Sequence, residues 1–321
     1  MRHVPTLERL PASVTAVAGD FSLSVIEGLS RAQKALPCRF FYDARGSCLF
    51  EEITQLPEYY PTRTEIEILN ARAAEIVKGF SSGDVLVEFG SGSSRKTEIL
   101  LDRIANRVMY VPIDVSEAAL AEAVSRLEER YPELEIRPLV ADFSNLTRLP
   151  HEFSGSRRTG FFPGSTIGNL APNDAAALLS KFRKVLGERG RLIIGVDLKK
   201  DARVLVRAYN DAAGITAAFN LNLLVRINRE LAGTFDLTAF HHKAIYDPRS
   251  GRIEMHLVSD RAQDVMVCGR RFHFANGESI HTENSYKYTV SEFRALAERA
   301  GWKSSRVLTD SNEQFSVHEL I

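Results

Sequence analysis

Only three cysteines, Cys38, Cys48 and Cys268, occur in 321 residues, an odd number outside any Cys-x-x-Cys spacing. That argues against a disulfide framework or a cysteine-held structural zinc, and is the usage of a reducing cytoplasm. Charge of one sign is also missing: Lys+Arg and Asp+Glu are both 41. With no basic run and no interleaving of arginine with aromatics, nucleic acid is not an expected partner, and a small ligand is. No sustained apolar region opens the chain and no later run reaches the length of a membrane span, so no membrane partner is expected. The eight histidines show no metal-ligand spacing. His241 and His242 are adjacent in an expected strand, so their rings face opposite ways, and no metal site is expected. Internal repeats and low-complexity tracts are absent. What remains, 44% hydrophobic and 26% charged residues, is an ordinary soluble composition. The length is large for one layered domain and suggests two, or one with a large insertion.

The organising stretch is Asp84-Val-Leu-Val-Glu-Phe-Gly-Ser-Gly-Ser-Ser-Arg-Lys-Thr97. Val85 to Val87 suit a buried parallel strand, Glu88 marks its end, and Gly90 and Gly92 turn the chain into a helix. Such a turn lets a ligand approach bare backbone. A second apolar run, Val108 to Asp114, ends in an acid 22 residues beyond Gly92 (114 − 92). Asp114 there suits the two hydroxyls of a ribose. A third run, Leu139 to Phe143, supplies Asp142 for an exocyclic adenine amine and Phe143 to pack on the ring. Consecutive right-handed β-α-β units bring these strand ends to one edge. Without a second phosphate-binding glycine pattern, the set fits S-adenosylmethionine better than a dinucleotide. The competing reading is that each acid merely caps a helix.

Residues 1 to 20, broken by Pro5 and Pro11, read as loosely structured, and 20 to 35 as an amphipathic helix. Phe40 to Phe50 is aromatic and poorly periodic. Tyr59 and Tyr60 lie between Pro57 and Pro61 on a stiff loop, with helix from Thr64 to about Lys78. Ser116 is a good N-cap for the next helix. The stretch Thr159 to Leu170 is a strand end running into Gly164 and Gly168, followed by a helix from Pro172 to Leu186 closed at Gly187. Arg191 to Asp197 reads as the fifth strand. After it the alternation stops: a helix over about 201–219, a hairpin of His242 to Tyr246 with Arg252 to Ser259, and short strands to about Ser285. The sheet is expected to resume at Tyr286 to Val290, with a helix from Ser291 to Ala300 and two closing strands.

The segments FFYDARGSCLF, LPEYYPTRTE, VEFGSGSSRKT, PGSTIGNL, VRAYNDAAGITAAFN, RIEM and TENS resemble, in order and spacing, the histidine-specific Nα-methyltransferases of ergothioneine biosynthesis. The resemblance implies an α/β fold: a class I, Rossmann-like methyltransferase sheet with a second α+β domain made from the N-terminus and an insertion. The expected boundaries are 62–199 with 286–321 for the core, and 10–61 with 200–285 for the substrate-binding domain. It further implies three methyl transfers from S-adenosylmethionine to the α-amine of L-histidine, giving hercynine and S-adenosylhomocysteine. Carried over by position, Gly90, Ser91, Lys96, Asp114, Asp142 and Phe143 bind the donor. Asn169 and Tyr209 hold the carboxylate, Tyr59 and the backbone of Gly164 lie at the amine, Glu283 and Ser285 read the imidazole, and Tyr42 and Met255 line the pocket. A cytoplasmic monomer is expected.

The chemistry agrees with these roles. Methyl transfer is an in-line displacement, and a protonated amine has no lone pair, so the pocket has to accept the neutral amine and exclude water. Positive charge passes from sulfur to nitrogen, which a tyrosine such as Tyr59 can favour. Selectivity is expected from Glu283, whose buried carboxylate is penalised without an imidazole N–H partner. Two rivals are a sister enzyme methylating another amino acid or amine, and a non-catalytic S-adenosylmethionine-binding module. On composition alone the tyrosines are core residues, Glu283 a solvated strand residue and Met255 packing.

Overall fold

The computed structural model describes residues 8–9, 14–150 and 155–321, with side chains described from residue 20 onward. The loose structure expected for residues 1–7 and 10–13 therefore falls outside the described residues. The chain forms two compact units, one of Met1–Ala12, Pro61–Leu198 and Tyr288–Ile321, the other of Ser13–Tyr60 and Lys199–Lys287.

The first unit is built on a nine-stranded sheet. Its main strands lie in the order Leu139–Val140, Met109–Asp114, Val85–Phe89, Arg158–Phe162, Arg191–Asp197, Phe315–Leu320, Ser304–Thr309. The first five run parallel, and Phe315–Leu320 is antiparallel both to Arg191–Asp197 and to Ser304–Thr309, its partner in the closing hairpin. This is the doubly wound order, with its reversed last strand, expected for a methyltransferase sheet. Val85–Phe89 and Arg191–Asp197 are buried at every residue, as strands covered on both faces must be. Phe89 of the central strand stacks on Phe182 of helix Pro172–Leu186 with 3.9 Å between ring centroids. The helix ends follow their chemistry. Ser116 accepts from the Ala119 N–H at 3.3 Å, and helix Pro172–Leu186 starts on a proline and stops at Gly187, φ +82°.

Tyr286 to Val290 is not a strand of this sheet. Tyr286 ends a strand of the second unit, Tyr288 forms one isolated bridge with Leu198, and Thr289 caps helix Val290–Arg299 in a reciprocal capping box with Glu292. The local Thr-x-x-Glu signal outcompetes the strand propensity of the tyrosines and Val290.

The second unit has a four-stranded sheet in the order Lys34–Ala35, Ser279–Tyr286, Arg252–Ser259, Phe240–Asp247, and a separate hairpin of Gln263–Val267 with Arg270–Phe274. Three expectations are corrected here. The helix read over 20–35 is Val14–Leu29, and Lys34–Ala35 joins the sheet instead. The aromatic stretch holds a helix, Ala44–Thr54, which Asp43 starts by accepting the Gly46 N–H at 2.8 Å. The helix read over 201–219 is two, Ala202–Ala208 and Ile215–Glu230, parted at Gly214 (φ +75°), with Asp211 capping the second through the Ile215 and Thr216 N–H groups at 2.9 and 2.8 Å. Helix Tyr60–Val77 also begins earlier than expected, because Pro61 in its first turn lacks only an N–H that would have no intrahelical partner.

One buried base makes the first unit acid-sensitive. His318, fully buried beside Phe293, is pushed down to about 3 by burial, with the Arg294 charge assisting. Its folded pKa lies below its unfolded value near 6.5, so the unfolded chain takes up the proton first and stability falls as pH drops from about 6.5 towards 3. In denaturant titrations at stepped pH, His318→Asn is expected to be spared up to roughly 1.4 kcal/mol per pH unit of that loss. Parallel pH profiles for the two proteins would refute it.

Candidate active site

Strand Val85–Phe89 runs into Gly90 (φ +73°) and Gly92 (φ +49°), then through Ser94, also left-handed at φ +54°, into helix Arg95–Leu101. A Cβ at Gly90 would stand 3.1 Å from Cε1 of Phe143, so the glycine lets the aromatic ring lie against the turn. Asp114 Oδ2 accepts the Gly92 N–H at 2.8 Å and Oδ1 accepts that of Ser116 at 2.9 Å. Asp142 accepts from the Ser144 N–H at 2.8 Å and the Asn145 amide at 3.0 Å. Both acids thus hold the loops, as the capping reading expects. Each carboxylate oxygen still carries a second lone pair for a ligand hydroxyl or amine. The Ser91 hydroxyl is buried without a protein partner. An orphaned hydroxyl, bare backbone under an aromatic ring and two acids at neighbouring strand ends fit a nucleoside with a polar tail.

Glu88 is a fully buried strand residue rather than a strand terminus, and burial pushes its carboxyl up to about 7 while the Tyr110 hydroxyl donates to it.

The loop after strand Arg158–Phe162 is held by a residue not singled out from the sequence. Glu65, fully buried on helix Tyr60–Val77, accepts the Gly164 N–H at 2.9 and 3.0 Å and the Lys96 ammonium at 2.6 Å. Gly195 makes room for it, since a Cβ there would fall 2.1 Å from Glu65 Oε1. The N–H of Gly164 is therefore taken, and any ligand hydrogen bond to its backbone has to go to the carbonyl. Asn169, half-buried, closes the short turn Thr166–Asn169 that follows. Glu65 ends the LPEYYPTRTE segment, but on helical periodicity it reads as a solvated face.

In the second unit the aromatic candidates share one cluster. Tyr59 and Tyr209 meet edge to face at 6.2 Å, Tyr59 meets Phe50 at 6.3 Å, and Tyr42 meets Phe50 and Phe219 at 5.6 and 5.7 Å. Strands Arg252–Ser259 and Ser279–Tyr286 pair with a bulge: His281 opposes His256, Glu283 opposes Met255, and Thr282 is the extra residue. The bulge puts Glu283 opposite buried Met255, and Ser285 opposite buried Ile253. Burial pushes the Glu283 carboxyl up to about 7, against the opposing Lys287 charge. Its own charge is felt by Tyr42 and Cys38, both raised by burial first and Glu283 second, Cys38 to about 12.

Lys287 was also not anticipated. It is 2% exposed, and its Nζ donates to Tyr209 Oη at 3.0 Å and Ser285 Oγ at 2.8 Å, while those two oxygens lie 2.7 Å apart. On the outward face, Glu254, His256 and His281 gather within 4.8 Å, a grouping that linear spacing did not show because two strands supply it. Glu254 is already engaged by His256 at 2.9 Å and by Arg252.

The sheet order and the donor-side geometry define a methyltransferase of the S-adenosylmethionine-dependent, doubly wound class. The chain belongs to the family of histidine-specific, SAM-dependent methyltransferases, whose model matches residues 21–321. It is 44% identical to a histidine N-alpha-methyltransferase of Mycolicibacterium smegmatis, over 90% of this chain and 91% of that one. A protein of the same name from Mycobacterium tuberculosis is 42% identical over 94% of this chain and 95% of its own. An ergothioneine biosynthesis protein 1 of Neurospora crassa is 31% identical over 89% of this chain, which spans 33% of that longer relative.

The buried Glu65 arrangement gives a direct test. Glu65→Ala strands Lys96 without its carboxylate and is expected to cost about 3 kcal/mol or more in urea unfolding. Gly195→Ala, which forces a carboxylate still present to move, is expected to cost roughly 1–3 kcal/mol. Losses below about 0.5 kcal/mol for both would show that the contact holds nothing.

Proposed function

We propose that this protein is an L-histidine Nα-methyltransferase that uses S-adenosylmethionine to convert histidine to hercynine in three successive transfers, the opening reaction of ergothioneine biosynthesis. The observation that carries the reading is Glu283, a carboxylate set by a β-bulge opposite Met255, whose charge reaches Tyr42 in the cluster that also holds Tyr59 and Tyr209. An imidazole N–H is the partner such a carboxylate lacks, and an indole or aliphatic side chain leaves it unpaired.

In this reading Gly90, Ser91, Lys96, Asp114, Asp142 and Phe143 hold the donor, whose sulfonium supplies an electrophilic methyl group. Ser91 offers its orphaned hydroxyl, and Phe143 lies along the bare backbone of Gly90. Lys96, neutralised by Glu65, presents its ammonium without a net charge excess. Tyr209 and Asn169 take the carboxylate, Glu283 and Ser285 the imidazole, and Tyr42 and Met255 shape the walls. The Gly164 carbonyl receives an N–H of the amine, and Tyr59 faces the nitrogen as it becomes cationic. An amine that loses one N–H at each methylation needs a surround without obligatory acceptors, and an aromatic one stabilises the ammonium it becomes. No general base is assigned, because the proton can leave to solvent before each attack. The domain reading follows: 62–199 with 286–321 carries the donor, and 10–61 with 200–285 the amino acid. Among the described residues no helix is long and apolar enough to cross a membrane. The free cysteines suit a cytoplasmic protein, and we take it to act as a monomer.

Mass spectrometry after incubation with S-adenosylmethionine and all twenty amino acids tests the assignment. Histidine alone is expected to gain three methyl groups, and Glu283→Gln to lower the preference for histidine by about tenfold to a hundredfold. Consumption of a different amino acid would leave a sister enzyme. No turnover of any would leave a binding module.

A further inference from the structure

The outward face of the second unit's four-stranded sheet carries a group of side chains that methyl transfer does not use. Glu254 and His256 are two residues apart on strand Arg252–Ser259, so both leave the same face, and His281 of strand Ser279–Tyr286 lies opposite His256 in the register. One ligating atom from each of the three, a carboxylate oxygen and two imidazole nitrogens, lies within 4.8 Å of the other two. The two imidazole rings stack with centroids 5.0 Å apart. All three residues are half-buried, and strand Arg252–Ser259 is paired along both edges, so the backbone beneath them is fixed.

Hydrogen bonds aim each of these groups. Arg252 donates to Glu254 Oε1 from Nε at 2.8 Å and from Nη2, while Oε2 lies 2.9 Å from His256 Nε2. His281 donates from Nε2 to the Glu283 carbonyl at 3.0 Å and keeps its other nitrogen. His256 Nδ1 lies 3.4 Å from Ser279 Oγ, a hydroxyl that can accept as well as donate. A change of tautomer, with the proton on Nδ1, therefore presents a bare Nε2 beside the Glu254 carboxylate. Two imidazolium ions at this ring spacing would repel, which favours the neutral form that ligates a metal. Carboxylates and imidazoles in metal sites are oriented by just such outer partners. A surface hydrogen-bond network accounts for Arg252, Glu254 and His256, but it does not call for a second imidazole stacked on the first. Two cations share this face. Arg252 is paired with Glu254, and Lys243, opposite His256 on strand Phe240–Asp247, is exposed to screening by water and salt.

We propose that Glu254, His256 and His281 form a binding site for a divalent transition-metal ion of the zinc class, held by two imidazole nitrogens and one carboxylate oxygen with a fourth position open to water. Imidazole-rich ligation suits zinc, cobalt, nickel or copper, whereas magnesium and calcium take oxygen ligands. A tetrahedral ion with bonds of about 2.0–2.1 Å holds its ligand atoms roughly 3.3 Å apart. Closing to that separation from 4.8 Å is within the reach of side-chain rotation on a fixed sheet. The ion ties the strand that carries Met255 to the strand that carries Glu283, and His281 links it to the Glu283 carbonyl. Nothing in this ligand set depends on which amino acid is methylated.

The test uses the untagged full-length protein after dialysis against a chelator, without free histidine, which would itself bind the metal. Calorimetric titration with Zn(II) is expected to show one equivalent bound with a Kd of about 10 μM or below. His281→Gln and Glu254→Gln, each checked for fold by circular dichroism, are expected to weaken that binding by about tenfold or more. Unchanged affinity in both variants means adventitious binding elsewhere and overturns the proposal, as does the absence of saturable binding by the wild-type protein. If neither variant folds, NMR of the wild-type protein labelled in its imidazole rings decides. Stepwise addition of Zn(II) is expected to move the His256 and His281 ring signals first. Movement of other rings first, such as those of exposed His241 and His273, or of none, places the ion elsewhere and refutes the site.

Discussion

The burial of a single carboxylate constrains the donor side of this protein. Glu65 has no exposure to water, so its charge must be met inside the first unit. Lys96 meets it from the helix that follows the glycine turn, and the Gly164 N–H meets it from the loop after strand Arg158–Phe162. Gly195, in the middle of the next strand, leaves the space it occupies. One side chain therefore sets the positions of two loops that follow neighbouring parallel strands. A sheet of valines, leucines and isoleucines can be packed in many ways at similar cost. A buried anion with two donors at 2.6 to 3.0 Å has far fewer arrangements, and that narrowness is what a site needs if a displaced atom is to stay in line with its target.

The second unit solves a related problem with both signs of charge. Lys287 is held by hydroxyl oxygens, and Glu283 sits in the field of that ammonium while burial pushes its carboxyl towards neutrality. The bulge at Thr282 makes the two compatible with one strand. Without the extra residue Glu283 would keep the alternation of His281 and point with it to the outward face. Thr282 is itself anchored, donating to Asn220 Oδ1 at 2.8 Å and lying 3.0 Å from the Met255 carbonyl, so the irregularity is built in.

Much of this was legible in the sequence, and the illegible parts share a cause. The parallel strands, the glycine turn and the caps at Ser116, Pro172 and Gly187 depend on neighbours a few residues away, and local pattern reads them directly. Helix Ala44–Thr54 was hidden because the aromatics of its stretch serve the core both from a short turn, Phe40 and Phe41, and from the helix, Phe50, which blurs the period. Tyr286 to Val290 was misread because strand propensity was weighed above the Thr289–Glu292 capping box. Glu65 and Lys287 escaped for a different reason. Charged residues are expected at the surface, and each of these two has a partner that lies far away along the chain, Gly164 at 99 positions from Glu65 and Tyr209 at 78 from Lys287.

The residues carried over by resemblance and those found only in the structure divide by function as well as by visibility. Tyr59, Asn169, Tyr209, Glu283 and Ser285 are the groups proposed to touch a ligand, and a recognisable motif marks each. Glu65 and Lys287 stand behind such groups: Glu65 holds the loop at Gly164, and Lys287 donates to the Tyr209 and Ser285 oxygens. A hydroxyl can accept or donate, so a tyrosine in a pocket does not by itself distinguish a carboxylate from an amide or a water. A buried ammonium donating to its oxygen, as Lys287 does to Tyr209, favours the donor role for its proton. In the proposed reading, discrimination at Glu283 comes less from the attraction of the right ligand than from the cost of leaving a buried carboxylate unmet when the imidazole N–H is missing. Rejection of that kind needs no steric exclusion.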